Sequence, residues 1–231
     1  MGRVKRPRSA AARRALELWD DAPRSARLHT TIRAWTAPFE ALETHVPQSG
    51  RVLEVGCGHG VFSTFLALSS PSRSVVGIDI DEQKISLANT TAKRLRPGEA
   101  TVTFEYRPSG ELPEASSGWD AIVFADVLYL LQPADRTRLL EQCAAALAPG
   151  GVLIVKEVDT EPKFKARIAQ FQEFLATRVL RITHGDAMSF PSANELAKEM
   201  NAAGLSTRSS RLDQGYFHPH CVVVGTRQPA V

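Results

Sequence analysis

Through the middle of the chain, short apolar runs typical of strands alternate with segments that have the apolar spacing of helices. Short runs typical of buried strands cover residues 51–55, 74–79, 101–106, 119–126 and 152–158. Helices are predicted between them, over residues 61–68, 81–96 and 133–147. Strands that alternate with helices of this length predict right-handed crossovers and a doubly wound, mostly parallel α/β sheet covered by helices on both faces.

The two ends of the chain depart from this alternation. Before the first strand, apolar residues cluster over 16–19 and recur every three or four positions over 28–39, which predicts a pair of amphipathic helices. The apolar residues are Leu16, Leu18, Trp19, Leu28, Ile32, Trp35 and Phe39. Near the other end, a helix over residues 192–203 precedes strands over 205–212 and 221–227. The short, turn-rich connection between these strands predicts an antiparallel hairpin at the end of the sheet.

Length and composition are those of one good-sized domain. The chain has 231 residues, of which 43% are hydrophobic, and it contains no run of 18 apolar residues that would cross a membrane. Its three cysteines are scattered and lack the spacing of zinc ligands, so neither a metal site nor a disulfide framework is predicted. This cysteine usage fits a reducing compartment, and we expect a cytoplasmic protein.

Positive charge is concentrated in the N-terminal arm. Residues 1–36 carry a net charge of +6, whereas the remainder carries −3. Such an arm is either a solvated tail or a surface that contacts the phosphates of nucleic acid or of an anionic membrane. The arm has few aromatic residues to stack on bases, which favours the tail.

The stretch VLEVGCGHG places three glycines directly after the first strand, at Gly56, Gly58 and Gly60. In an open parallel sheet, ligands bind beyond the carboxyl ends of the strands. Residues without a Cβ let a loop turn sharply there and present backbone N–H groups to a ligand at the start of the next helix. A tight strand-to-helix turn is the alternative interpretation of the glycines alone.

Two carboxylates strengthen the ligand interpretation. Asp79 ends the second strand, about 20 residues after the loop, where a carboxylate is placed to accept hydrogen bonds from ribose hydroxyls. Asp81 is assigned instead to the N-cap of the following helix. Glu54 lies inside an apolar strand and needs a partner, which either a ligand ammonium or loop N–H groups would supply.

In order and spacing, the blocks VLEVGCGHG, VVGIDID, WDAIVFADVLYLL and LAPGGVLIVKE resemble the signatures of class I S-adenosylmethionine-dependent methyltransferases, especially the bacterial small-molecule group. The resemblance covers residues 50–160 and extends to the last helix and strand. It implies a Rossmann-like, seven-stranded sheet with the last strand antiparallel. It also divides the chain into a basic arm with cap helices, 1–48, and a cofactor-binding domain, 49–231.

The resemblance implies S-adenosylmethionine as the cofactor. The residues expected around its methionine part are Glu54, Gly56, Cys57, Gly58 and Gly60. Asp79 would hold the ribose and Ile80 would cover the adenine. The family often has an Asp after the third strand for the adenine amino group, whereas this chain has YRPSGELP, so Ser109 or a backbone carbonyl must substitute.

Candidate catalytic residues follow the fourth and fifth strands. Asp126 and Tyr129 come after the fourth strand, where methyl and acceptor should meet. Asp126 is expected to orient the acceptor or the cofactor amine, or else to cap the next short helix, and Tyr129 is alternatively a core residue. Glu157 is the candidate acid/base or acceptor-binding group, with a charge at the rim of the sheet as the alternative. Strand alternation places Lys156 on the opposite face.

Residues 160–191 form a long insertion before the last helix. Its apolar residues are spaced for one helical face: Phe164, Ile168, Phe171, Leu175 and Val179. This helix packs on the sheet or, in the family that the chain resembles, roofs the acceptor pocket. We therefore expect a small apolar, aromatic or lipid-like acceptor that is methylated on oxygen, nitrogen or carbon.

Other function classes are weaker. A dinucleotide-binding oxidoreductase would need G-x-G-x-x-G, but Val61 occupies the last of these positions. A methyltransferase that acts on RNA or other nucleic acid through the basic arm is a stronger alternative, although the fourth strand lacks the Asn/Asp-Pro-Pro-Tyr/Phe sequence of enzymes that methylate base amino groups. We therefore expect no nucleic acid partner. A protein that binds S-adenosylmethionine without transferring methyl is a further alternative.

Overall fold

A seven-stranded sheet forms the centre of the computed structural model, which describes residues 8–159, 190–214, 216 and 219–229. The strands are β1 Gly50–Val55, β2 Arg73–Asp79, β3 Thr101–Tyr106, β4 Trp119–Ala125, β5 Leu147–Val158, β6 Leu205–Arg211 and β7 His220–Arg227. Their order is β3-β2-β1-β4-β5-β7-β6. β7 is antiparallel to its neighbours β5 and β6. All the other neighbouring strands are parallel to each other. The predicted fold class and the terminal hairpin are confirmed.

Helices cover both faces of this sheet. They are α1 Ala10–Glu17, α2 Arg24–Thr36, α3 Phe39–Glu43, α4 Val61–Ser69, α5 Glu82–Ala92, α6 Pro133–Ala146 and α7 Ala193–Ala202, with a 3₁₀ turn at Leu128–Leu130. Asp81 caps α5 by accepting from the backbone N–H of Lys84, as predicted. Ser192 and Glu195 form a capping box at the start of α7. These two helices therefore begin where the sequence provides side chains for the free N–H groups.

The central strands are buried on both sides because alternate side chains enter two separate cores. Val52 and Val123 pack on one face with α1, α3 and α4, whereas Leu53 and Ile122 pack on the other with α6 and α7. All four side chains have 0% exposure. Near-continuous apolar runs are expected of parallel strands covered on both faces. This core fixes the carboxyl ends of β1, β2 and β4 side by side.

The junction of α6 and β5 differs from the prediction. α6 ends at Ala146 and β5 begins at Leu147, five residues before the predicted strand. Trp119 pairs with Leu147, but Ala121 pairs with Val152, so β5 has three extra residues at this point. A Cβ on Gly151 would lie 2.7 Å from the carbonyl oxygen of Trp119. The Pro-Gly-Gly sequence thus forms an irregular start of the strand, and glycine is needed there for close backbone approach.

Helix α2 is rotated relative to the prediction. Ala26 and Thr30 face the protein and are buried, whereas Leu28 is 54% exposed and Ile32 is 36% exposed. The predicted apolar face is therefore wrong for this helix. The inward face also contains Arg33, whose guanidinium donates to Asp126 at the end of β4.

Within the described part of the chain, no helix combines the length and apolarity required to traverse a lipid bilayer. The predicted insertion, 160–191, falls outside the described residues except for Phe190 and Pro191.

Candidate cofactor and acceptor site

The glycine loop between β1 and α4 is held against the end of β2. The N–H groups of Gly56 and Cys57 donate to the carbonyl oxygen of Ile78 at 2.8 and 3.0 Å. Gly56, Gly58 and Gly60 have φ angles of 73°, 56° and 73°, in the left-handed region that favours glycine. The sequence places glycine where the backbone requires it.

The three loop glycines have different surroundings. A Cβ on Gly56 would meet Val127 at 2.6 Å, and a Cβ on Gly60 would overlap the ring of Phe104. A Cβ on Gly58 would meet no described atom within 4 Å. Gly56 and Gly60 are thus glycines because of protein packing, whereas Gly58 faces a space that a ligand can fill.

Asp79 joins this loop to the end of β2. One carboxylate oxygen, Oδ2, accepts from the N–H of Gly58 at 2.7 Å, and Oδ1 accepts from the N–H of Asp81 at 2.9 Å. Because a carboxylate oxygen accepts more than one hydrogen bond, both oxygens retain capacity for ligand hydroxyls. The next residue, Ile80, is 63% exposed, which is unusual for a large apolar side chain at a strand end.

Glu54 is buried at the end of β1, with 3% exposure. The hydroxyl of Ser63, in the first turn of α4, donates to its Oε2. Burial raises the pKa of Glu54 to about 7, against the lowering effects of Ser63 and of Arg33. The sequence predicted a ligand ammonium or loop N–H groups as the partner of Glu54, and it did not predict this hydroxyl. A polar residue in the first turn of a mostly apolar helix was the available signal.

Asp126 lies between two cations at the end of β4. Lys156 Nζ is 2.6 Å from its Oδ2, and Arg33 Nη1 also lies 2.6 Å from Oδ2. Burial opposes the charged carboxylate, but Lys156 and Arg33 outweigh it and lower the pKa of Asp126. Its φ of 57° is the one positive φ of a non-glycine residue in the described chain. Asp126 is therefore an ionised, fixed group.

Glu157 anchors the segment that follows Asp126. Its Oε1 accepts from the N–H groups of Val127 at 3.0 Å and Leu128 at 2.7 Å, at the start of the 3₁₀ turn. Burial, followed by the nearby Asp126 charge, raises the pKa of Glu157 to about 8. The alternative role considered for Asp126, capping of this turn, is wrong, because Glu157 performs it.

Tyr129 lies beside these carboxylates and stacks on Phe190. The two ring centroids are 5.0 Å apart and the planes are inclined by 7°. Tyr129 is 8% exposed, and burial together with Asp126 raises its pKa. Phe190 lies just before α7 in the chain, so this aromatic pair joins two distant parts of the sequence beyond the carboxyl end of β4.

Two predicted cofactor residues occupy different environments. Cys57 is 8% exposed and packs with Ile85, Ala88 and Phe104, and burial raises the pKa of its thiol well above the usual value. The backbone of Cys57, and not its buried thiol, is therefore available for a ligand contact. Ser109 is exposed in the turn after β3.

The N-terminal helices contact the glycine loop through His59. Its ring lies 5.5 Å from the ring of Trp19, edge to face, and 4.9 Å from that of His29 on α2. His59 Nδ1 and Trp19 Nε1 are buried without a hydrogen-bond partner among the described residues. Burial, followed by Lys84, lowers the pKa of His59. The cap helices thus lie against the loop rather than apart from it.

Among residues 8–159 and the described part of 190–229, no group of three or more His, Cys, Asp or Glu side chains could hold a metal ion.

A glycine loop open at its middle residue, an acidic end to the second strand and a 3-2-1-4-5-7-6 sheet define a class I S-adenosylmethionine-dependent methyltransferase. The comparison with protein families agrees, since the model of a methyltransferase domain family matches residues 24–210. The chain belongs to this methyltransferase domain family, and its cofactor is S-adenosylmethionine.

Curated relatives with sequence similarity include a ubiquinone biosynthesis O-methyltransferase of Bordetella avium. It is 30% identical over 167 residues, which cover 71% of this chain and 65% of the relative. A second, from Bordetella bronchiseptica, is 32% identical over 164 residues, covering 70% and 64%. The matched region thus spans just under two thirds of the length of these relatives.

Solved structures show the same fold. A SAM-dependent methyltransferase from Methanosarcina mazei superimposes with a TM-score of 0.62 at 20% identity, covering 82% of this chain and 98% of its own. Magnesium protoporphyrin IX methyltransferase from Synechocystis PCC 6803, solved with bound S-adenosylhomocysteine, gives 0.62 at 16% identity and covers 95% of each chain.

Proposed function

We propose that this protein transfers the methyl group of S-adenosylmethionine to an oxygen of a small aromatic or lipid-like acceptor. The observation that carries the proposal is the adjacency of two features at one edge of the sheet. The open glycine loop with Asp79 ends β1 and β2, and the Asp126, Tyr129 and Phe190 group lies at the end of β4, which pairs directly with β1. Oxygen is favoured as the acceptor atom because the curated relatives are O-methyltransferases.

The described residues fit the cofactor. The free space at Gly58 allows close approach to backbone N–H groups, and Asp79 would accept hydrogen bonds from the ribose hydroxyls. Glu54 would pair with the ammonium of the methionine part. Exposed Ile80 would lie along the adenine, with Ser109 near the adenine edge.

Bound S-adenosylmethionine supplies a methyl group that is already activated by the sulfonium charge. The protein can therefore act mainly by holding the acceptor oxygen in line with that methyl group. Asp126 is engaged by Lys156 and Arg33, so we assign it to positioning rather than to proton transfer. Glu157 fixes the backbone that carries Tyr129, and we assign it to positioning as well.

Acceptor recognition is assigned to the aromatic pair. Tyr129 and Phe190 present flat apolar surface beside the end of β4, which suits a planar acceptor ring. The neighbouring Arg33 would favour an acceptor oxygen with phenolate character.

The ion pairs of the N-terminal helices count against the nucleic-acid alternative. Arg14 pairs with Glu99 at 2.8 Å and Arg33 pairs with Asp126, so two of the cations in the basic region serve internal contacts. A cytoplasmic location and peripheral contact of the basic arm with anionic membranes remain parts of this proposal.

The test is a methyl-transfer assay with radiolabelled S-adenosylmethionine and a panel of acceptors. The panel contains 3,4-dihydroxybenzoate, a catechol with an apolar chain, an aromatic amine and total RNA. We expect labelled product from the catechols, with the apolar derivative preferred. Label in RNA or in the amine alone would overturn the acceptor assignment. Cofactor binding without transfer, even to a whole cell extract, would favour the non-catalytic alternative.

A further inference from the structure

The carboxyl group of Glu54 depends on one residue for its described hydrogen bonds. The Ser63 hydroxyl donates to Oε2, and the backbone N–H of Ser63 also stabilises the carboxylate. Ser63 is 0% exposed and occupies the third position of α4, where backbone N–H groups have no partner within the helix. Gly60, at the N-cap, provides no side-chain hydrogen bond. Glu54 therefore acts as the acceptor for the start of α4.

Burial, followed by the neighbouring groups, brings the pKa of the Glu54 carboxyl to about 7. Among the described residues, the charged and titratable groups facing it are Arg33 of α2, Asp79 at the end of β2 and Cys57 in the loop. Arg33 favours the ionised form, whereas Asp79 and burial favour the protonated form. A ligand ammonium placed here would add a full positive charge and drive ionisation.

We propose that binding of the cofactor is coupled to loss of one proton from Glu54, and that Ser63 is the positioning residue that sets the pH of this coupling. The inference rests on the proposed placement of the cofactor ammonium beside Glu54. The proton leaves the carboxyl group for the solvent, and the carboxylate that remains pairs with the ammonium. Affinity should consequently fall as the pH drops through the neutral range, because the free protein then holds a proton that binding must displace.

Calorimetry with S-adenosylhomocysteine tests the coupling without any acceptor. With the pKa of Glu54 at about 7, titrations in two buffers of different ionisation enthalpy should show release of about 0.9 proton at pH 6 and about 0.1 at pH 8. Affinity should drop about tenfold over the same range. 5′-Methylthioadenosine, which lacks the amino-acid part, should bind with no proton release.

Ser63→Ala then tests the positioning role. Loss of a hydrogen bond to the charged form should raise the midpoint by about one pH unit. S-adenosylhomocysteine should bind about fivefold more weakly at pH 7 but less than twofold more weakly at pH 8.5. Thr64→Ala is the matched control, since Thr64 is buried on the same helix and donates to the carbonyl oxygen of Gly60 instead. Its effect should not vary with pH.

The outcomes separate the two proposals. If S-adenosylhomocysteine binds at no pH, the proposed cofactor site is wrong, and the proposed proton coupling is wrong as well. If it binds without proton release, the coupling alone is overturned, whatever the variants do. Equal weakening of Ser63→Ala at every pH would show that Ser63 has only a structural role.

Discussion

Arg33 and Asp126 are 93 residues apart in the chain and form an ion pair of 2.6 Å between α2 and the end of β4. This pair attaches the N-terminal helices to the edge of the sheet where methyl transfer is proposed. The guanidinium lies on the inward face of α2, whereas Leu28 and Ile32 lie on the outward face.

We expect Arg33→Ala to loosen the N-terminal helices. Asp126 keeps Lys156 as a partner, so its charge is not left unpaired. The free energy of unfolding should therefore fall by about 1 to 3 kcal/mol, the contribution of one charged hydrogen bond. Urea denaturation should show this loss, and limited proteolysis should cut residues 20–36 faster. Arg24→Ala, on the exposed side of the same helix, should change stability by less than about 0.5 kcal/mol. Equal behaviour of the two variants would contradict the role assigned to this ion pair.

Gly58→Ala should separate cofactor binding from folding. The added Cβ meets no described protein atom, so the cost to stability is the backbone strain at φ 56°, about 1 kcal/mol. The same Cβ enters the proposed cofactor space, and calorimetry should show at least a tenfold loss of S-adenosylhomocysteine affinity.

Gly98→Ala is the control for this strain. Gly98 has a φ of 75° and open surroundings outside the loop, so its variant should lose similar stability and keep full affinity. Gly60→Ala should instead destabilise the fold through the contact with Phe104. Unchanged affinity in Gly58→Ala would remove the main physical support for the cofactor position.

Asp79→Ala should weaken cofactor binding about 10- to 100-fold, because it removes the carboxylate that would accept from the ribose hydroxyls and that accepts from the N–H of Gly58. Asp81→Ala tests a carboxylate two residues away. It removes the N-cap of α5 and should cost about 1 kcal/mol of stability with little change in affinity. The two dissociation constants, measured by calorimetry, should therefore differ by at least tenfold. A larger affinity loss in Asp81→Ala would reverse the assignment of these two acids.

The succession of strands and helices along the chain and the location of the ligand loop were predictable because they depend on local sequence. Apolar runs marked the buried strands, and Gly58 and Asp79 followed them at the expected spacing. The fold class and the cofactor are confirmed. Asp81 as the cap of α5 is confirmed for the same reason, since capping involves residues three apart.

Contacts between distant segments were not predictable from these local patterns. Arg33 was counted as part of a basic arm, yet it reaches Asp126, and periodicity alone chose the wrong face of α2. Strand alternation placed Lys156 on the face opposite Glu157, but it did not reveal that Lys156 pairs with Asp126. Ser63 carried no signal beyond its polarity. Such pairings require the three-dimensional arrangement, whereas the spacing of glycines does not.

Glu157 provides a test that distinguishes an anchor from an acid/base group. Glu157→Gln keeps a side-chain oxygen able to accept from Val127 and Leu128, so we expect stability and methyl transfer within about threefold of the unchanged protein. Glu157→Ala leaves the buried N–H of Leu128 and the part-buried N–H of Val127 without that acceptor. It should lose about 2 to 4 kcal/mol in the free energy of unfolding, with a matching fall in activity. The measurements are urea denaturation and the rate of label transfer to the acceptor chosen from the panel. A stable Glu157→Gln variant that is slowed by about 100-fold or more would instead identify Glu157 as the group that transfers the proton.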